Sequence, residues 1–248
     1  MQILFHDDWL VAVNKPAGLL VHRSAIDRRE TRFALQLLRD QIGRRVYPVH
    51  RLDRPTSGVL LFALDIDTAR HMSGQFSGGG VDKTYLAVVR GYTDDAALID
   101  YSLRERHDPM THARADPGKP AQPALTAYRR LASVELACQV GRYSSARYSL
   151  LEVKPKTGRK HQIRRHMKHI FHPVVGDTTH GDGRHNQLFR DRFACHRLLL
   201  AATRLALTHP RSGEGLCIEA PLPDDFRRII DTLGWRGAAK RSATQRNA

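Results

Sequence analysis

Long apolar runs are missing from this sequence, and none approaches the roughly 20 residues needed to span a bilayer. The opening Met1-Gln2-Ile3-Leu4-Phe5-His6-Asp7-Asp8 lacks the basic-then-apolar order of a secretory signal. Cysteine is scarce: Cys138, Cys195 and Cys217 are odd in number, far apart, and form no CxxC pair. This argues against a disulfide scaffold or a thiolate zinc site and fits a reducing cytoplasm. There is no HExxH and no internal repeat. Gly78-Gly79-Gly80 has neither a Gly-Lys-Ser/Thr nor a GxGxxG context and follows no strand pattern, so it reads as a loop and not as a phosphate cradle. Acidic side chains are also under-represented, with 25 Asp and Glu against 40 Lys and Arg, a net charge of +15.

What is present bounds the rest. A chain of 248 residues with 41% hydrophobic content can bury a real core in one large domain. Its basic excess calls for a polyanion, either nucleic acid or an anionic membrane surface.

The most informative stretch runs from Val49 to Leu64. Two apolar runs flank a polar knuckle that holds one carboxylate, Asp53. Pro55 fixes its own φ and pushes Arg54 out of the helical region, and Gly58 permits backbone closed to other residues. Val59-Leu60-Leu61-Phe62-Ala63-Leu64 is apolar throughout, as in a strand buried on both faces. The pattern predicts a carboxylate on a rigid loop beside a core strand. Asp followed by Pro-Thr-Ser-Gly is also ordinary turn chemistry. Arg51 and Arg54, which bracket the acid with cationic donors, add to the functional side.

Around this stretch the pattern predicts short strands at Ile3–Phe5, Leu10–Val13 and Leu19–Val21, with Asn14-Lys15-Pro16-Ala17-Gly18 as a turn. Thr31 is expected to cap a helix carrying Ala34, Leu35, Leu38 and Ile42, which Gly43 ends. A second helix is expected over Asp67–Phe76 with Ala69, Met72 and Phe76 inward. Lys83–Gly91 reads as a strand, 104–123 as an exposed proline-rich loop, and Ala124–Ser133 and Ala146–Val153 as strands. Gly176–Asn186 reads as a turn-rich loop and Cys195–Leu207 as helix or strand. A final amphipathic helix carries Phe226, Ile229, Ile230 and Leu233. From Arg236 onward the small, polar, basic composition predicts a disordered tail.

Within Lys156–His169, Ile163, Met167 and Ile170 share one helical face, and the remaining faces are expected to be basic and solvated. His161, His166, His169 and His172 raise a metal site, but no acid or Cys is interleaved and adjacent Lys and Arg oppose a divalent cation.

Three ordered motifs closely resemble those of the RluA-type pseudouridine synthases. They are His50-Arg51-Leu52-Asp53-x-x-Thr56-Ser57-Gly58, Lys83-Thr84-Tyr85-x-Ala87-Val88-Val89-x-Gly91 and Thr157-Gly158-Arg159-x-His161-Gln162-Ile163-Arg164-x-His166. The resemblance covers about residues 3–235. It implies an α+β fold with a mixed, largely antiparallel sheet flanked by helices, in one catalytic domain over 1–235. The first core strand starts almost at Met1, so no N-terminal S4 domain is expected. It further implies a uridine isomerase with Asp53 as essential residue, Tyr85 on the target base and Arg164 paired with Asp53, with bidentate geometry expected. Arg51 would fill the space that the extruded base leaves, and His50, Arg54, Thr56, Arg159, His161, Gln162 and Lys168 are expected to bind RNA. The loop Gly176–Asn186, with His180 and the extension Gly183-Arg184-His185-Asn186, resembles the branch of the family that modifies uridine 65 in the T stem of tRNA. No cofactor, metal, membrane or obligatory protein partner is implied, and the chain is expected to act as a cytoplasmic monomer on structured RNA. The readings left open are a ribosomal RNA uridine as target, a non-catalytic RNA-binding protein such as a chaperone, and, more remotely, a metal-dependent hydrolase.

Overall fold

The computed structural model describes residues 1–22, 31–104 and 120–239. The interior of the loop expected at 104–123, and 240–248 of the expected tail, lie outside the described residues. The centre of the molecule is strand β4 (Ser57–Ala63), buried at every position. An all-apolar run is stable there because both its faces are covered. In the mixed sheet, the order of the longer strands is β1 (Gln2–His6), β2 (Leu10–Lys15), β4, β9 (Leu200–Thr208), β5 (Asp82–Arg90), β8 (Ala146–Pro155), β7 (Leu125–Leu136), β6 (Ala96–Asp100). Strand β3 (Tyr47–Pro48) pairs with β4, and β10 (Gly215–Glu219) with β9. Every named pairing is antiparallel except β4 with β9, which run parallel at Ser57↔Ala201 and Gly58↔Ala202.

Strand periodicity sends alternate side chains to opposite faces, and each face recruits its own helices. Over one half of the sheet, α1 (Ala34–Ile42) packs on Val11, Val13, Leu60 and Phe62. Helix α2 (Ile66–Ser77) covers the opposite residues, Leu10, Ala12, Val59 and Leu61. Over the other half, α3 (Gln162–His169) packs on Ala87, Val89, Leu151 and Val153. Helices α4 (Gly183–Phe193) and α5 (Asp224–Thr232) cover Leu86, Val88, Tyr148 and Leu150. Tyr85 packs against both the α1 and the α3 clusters, so it sits at the seam between the two halves.

Several expectations change. Thr31 does not cap α1, whose N-cap is Phe33 without a side-chain cap, although Gly43 closes the helix in the left-handed region as expected. Leu19–Val21 forms only an isolated bridge, Leu20↔Phe33. The loop read over Gly176–Asn186 stops at Asp182, whose side chain accepts from the Arg184 N–H and starts α4. Strands β6 and β10 were not expected; each is five residues long and fully buries a single side chain, Ile99 and Ile218. The first residues of the expected tail are ordered: 236–239 make a helical turn with Ala238 buried, and Arg236 pairs with Asp231.

Gly58 marks the tightest point of the sheet. Its φ is +114°, and a Cβ there would meet the Ala202 carbonyl oxygen at 1.9 Å across the parallel junction. Gly58→Ala should therefore lower stability by about 3 kcal/mol or more, through clash added to strain. Gly43→Ala, where φ is +65° with open space around it, should cost only about 1–2 kcal/mol. Urea unfolding of both variants checks this; equal losses would show that the β4–β9 contact is not the constraint.

Candidate active site

Asp53 stands on the loop that enters β4, and its position is over-determined by backbone contacts. Its carbonyl accepts from Thr56 N–H at 3.0 Å, and the neighbouring Leu52 is buried. The Asn14–Gly18 turn clamps the next residue: Gly18 N–H donates to the Arg54 carbonyl at 2.8 Å, and Arg54 Nε returns a bond to the Gly18 carbonyl at 3.0 Å. Lys15, fully buried, donates through Nζ to the carbonyls of Pro16, Leu19 and Arg54. Burial pushes the Lys15 ammonium down to about 7, with Asp53 opposing that shift. Lys15 was read only as part of a turn; its structural role is to tie two loops together under the acid.

The side chain of Asp53 meets a buried cation from α3. Arg164 Nη1 donates to Asp53 Oδ2 at 3.1 Å. The expected bidentate geometry belongs elsewhere, because Arg164 Nε and Nη2 grip Asp177 Oδ2 and Oδ1 at 2.7 and 2.8 Å. The guanidinium fork fits a carboxylate in that parallel manner. Asp177 also accepts from the backbone N–H of Thr179 and of His180, both at 2.9 Å. Burial opposes its charge, but the bonds from Arg164, His180 and Thr179 outweigh this and hold the Asp177 carboxyl below the usual range. Asn186 braces the same loop, donating to the Asp177 carbonyl and accepting from Gly176 N–H. Asp177 was visible in the sequence only as a Gly-Asp turn, and nothing local marks it as the anchor of an arginine.

Asp53, Arg164 and Tyr85 line one cavity of about 720 Å³, within the ~300–1,000 Å³ typical of small-ligand sites. Asp53 is the only acid among the lining residues, against Arg51, Lys83, Lys156, Arg159, Lys160 and Arg164. Burial, and then the nearby Asp53, push the Tyr85 phenol up, so it presents a neutral ring. Arg51 is exposed at the cavity and makes no hydrogen bond among the described residues. His161, in the left-handed region at the start of α3, places Nε2 3.9 Å from Asp53 Oδ1 and joins Nδ1 to His180 Nε2 at 2.9 Å. Burial lowers the His161 imidazole despite Asp53 beside it.

His50, Thr56, Arg159 and Gln162, also expected at the RNA, line the same cavity, and several of them bond within the fold. His50 Nε2 accepts from Leu61 N–H at 3.0 Å, its ring stacks on Phe76, and burial pushes it down to about 3, so it is neutral. Gln162 is buried with its amide saturated: Oε1 accepts from Thr157 and Arg159, and Nε2 donates to Leu125 and Thr126. Thr56 is buried. Arg159 lines the cavity with Nε on the Pro123 carbonyl, whereas Lys168 lies outside the lining on the exposed side of α3. The outer faces of α3 are less basic than expected, since Arg164 and His166 turn inward. His166 bonds the Tyr101 carbonyl, His172 the Arg90 carbonyl, and His169 stacks on Tyr101. Among the described residues no three His, Cys, Asp or Glu side chains gather as a metal would need, and no helix is long and apolar enough to cross a membrane.

The comparisons agree with this geometry. The sequence profile of the family described as RNA pseudouridylate synthase matches residues 9–169. The chain is 51% identical over 236 residues to tRNA pseudouridine synthase C of Vibrio cholerae, covering 95% of this chain and 97% of that protein. It is also 51% identical to the protein of that name from Salmonella typhi, over 96% of this chain and 91% of the other. Human RNA Pseudouridylate Synthase Domain Containing 4 superimposes with a TM-score of 0.70 at 26% identity, over 94% and 93% of the two chains. A lone carboxylate held by a buried arginine at the seam of a mixed sheet, with this breadth of similarity, places the chain in the RluA-type RNA pseudouridylate synthase family, to which it belongs.

Proposed function

We propose that this chain converts uridine to pseudouridine in tRNA, at uridine 65 of the T stem, in the cytoplasm and without a cofactor or protein partner. The carrying observation is Asp53, the sole acid of a cation-lined cavity, held by the buried Arg164. Half-identity over nearly the full length to proteins named tRNA pseudouridine synthase C supports tRNA as the substrate class. The reaction breaks N1–C1′, turns the base and rejoins it through C5; C5 loses a proton and N1 gains one. No electron or phosphoryl group moves, so one carboxylate acting as nucleophile or base suffices. Tyr85 offers a neutral ring on which the extruded uracil stacks, and the cavity cations take the flanking phosphates. Arg51, unattached at the mouth, fills the space that the base vacates.

Asp53→Asn should abolish isomerisation while tRNA affinity stays within about tenfold, roughly 1.4 kcal/mol. Tritium release from 5-tritiated uridine tRNA measures the first and filter binding the second; near wild-type release would sink the assignment. Pseudouridine mapping of total RNA with and without the gene should show loss at uridine 65 and leave ribosomal RNA unchanged.

Extraction of a stacked base costs a few kcal/mol, least when the base is unpaired. Arg51→Ala should accordingly recover much of its lost rate on a tRNA whose target uridine is mismatched, whereas Arg164→Met should not. Single-turnover rates on the paired and mismatched RNAs decide this, and equal rescue would mean the two arginines do not divide the work in this way.

Asp177→Asn should remove the anchor of Arg164 and leave a buried cation half-partnered, lowering stability at pH 7 by about 3 kcal/mol. Because the folded Asp177 carboxyl lies below its ordinary value, its contribution is present above the unfolded pKa of about 4 and is lost as pH falls through the lower folded value. Wild-type stability should therefore drop more steeply than that of the variant in the acid range. Urea midpoints between pH 7 and pH 2.5 check the sign, and parallel curves would contradict it.

A further inference from the structure

Helix α3 ends in a Schellman closure, with His172 N–H on the Met167 carbonyl at 2.8 Å and Phe171 N–H on the Lys168 carbonyl at 3.1 Å. This closure needs one residue in the left-handed region, where glycine is favoured because a Cβ is strained. Helix α5 uses Gly234 at φ +74° for the same closure, with Trp235 N–H on the Ile230 carbonyl and Gly234 N–H on the Asp231 carbonyl. Helix α3 puts Phe171 there, at φ +64°. A bulky residue in that conformation is an outlier, and burial would be the usual compensation. Phe171 has none: it is 79% exposed, the most exposed large apolar side chain among the described residues.

The turn that carries it is firmly braced. Arg90 Nη2 donates to the Phe171 carbonyl at 3.1 Å while Arg90 Nη1 is held by Asp182, and His172 Nδ1 bonds the Arg90 carbonyl at 2.8 Å. The ring is thus presented to solvent on a fixed base. Its surroundings are cationic and aromatic. Helix α3 contains no acid, Lys168 and His169 are exposed beside the turn, and the half-exposed Tyr101 stacks on His169 with ring centroids 3.6 Å apart. Aromatic faces among cations are the composition of a nucleic-acid platform. At 1.5 Å per residue the last residue of α3, His169, lies about 8 Å along the axis from Arg164, and Phe171 follows two residues later, within the span of an RNA stem engaged at the cavity.

We propose that Phe171, with Lys168 and His169 beside it, is a second RNA contact outside the catalytic cavity, on which an exposed base of the substrate stacks. The proposal rests on the reading that the substrate is tRNA. In this arrangement α3 serves the RNA at both ends, with Arg164 holding Asp53 in its first turn and the stacking ring just past its close.

The test uses Phe171→Gly, Phe171→Leu and Phe171→Tyr in the full chain, with an unmodified tRNA transcript as probe. Glycine suits the backbone better, so Phe171→Gly should have a Tm equal to wild type or about 2–4 °C higher. It should nevertheless bind tRNA about tenfold more weakly. Phe171→Leu should be similarly weakened and Phe171→Tyr near wild type, because stacking needs an aromatic face. Unchanged affinity in Phe171→Gly, or full affinity in Phe171→Leu, overturns the proposal. So does a fall in the Tm of Phe171→Gly, which would mean that another part of this chain covers the ring. A dimer lost in Phe171→Gly with tRNA affinity intact would assign the ring to a second copy and overturn it as well. Failure of the substrate reading is separable, since wild-type protein would then not isomerise uridine in the same transcript.

Discussion

One guanidinium holds the catalytic centre together. Arg164 is buried, and taking a charge out of water costs several kcal/mol unless partners replace the lost hydration. Here the partners come from two segments: Asp177, soon after α3, supplies a two-toothed carboxylate, and Asp53, far away in sequence, a single oxygen. The division of labour follows from geometry. The fork matches Asp177, which is itself fixed by the Thr179 and His180 amides, and only the remaining Nη1 is left to face Asp53. The acid therefore keeps an oxygen available to the cavity while its orientation is still set.

Everything that positions this interaction can be traced to the sheet. The parallel junction of β4 with β9 brings the loop bearing Asp53 to the sheet's surface, and Gly58 lets the two backbones approach. Arg197 crosses the same junction, with Nη2 on Ser57 Oγ at 2.6 Å and Nη1 on Asp225 Oδ1 at 2.9 Å, so α5 is tied to the first residue of β4. Opposite Thr84 and Tyr85 of β5, β9 carries an extra residue, Thr203, so the register shifts at the residue that reaches the seam. Bulges commonly re-aim a side chain beside an active site.

The charge pattern has two scales. Around the cavity the cations outnumber the single lining acid, Asp53, although Arg164 is also held by Asp177 and Lys156 lies near Asp82, and this concentrates positive potential where phosphates must come. Elsewhere many arginines are engaged with acids, as in Arg90–Asp182, Arg70–Asp67 and Arg236–Asp231. Net charge therefore announced a polyanion, but only the fold distinguished the cations left for it from those already paired.

Residue order alone determined the features that depend on local chemistry. The apolar run of β4, the glycine stop after α1, the inward faces of α2 and α5 and the placing of Asp53 on the loop that enters β4 are properties of neighbouring residues, and they were legible. So was the α+β, largely antiparallel plan, through three motifs whose spacing is fixed by the elements that carry them. The Asp177 partner of Arg164 and the bonds of Lys15, His50 and Gln162 were not legible, because a polar side chain looks the same in sequence whether it faces RNA or bonds a group inside the fold. Asp177 read as a turn for that reason, and the start of α4, up to Asn186, read as loop because it buries little: only Asn186 and Phe189 of the helix are buried. Composition and spacing set which chemistry was available, and tertiary packing decided which groups perform it, since burial and hydrogen-bond geometry exist only once distant segments meet.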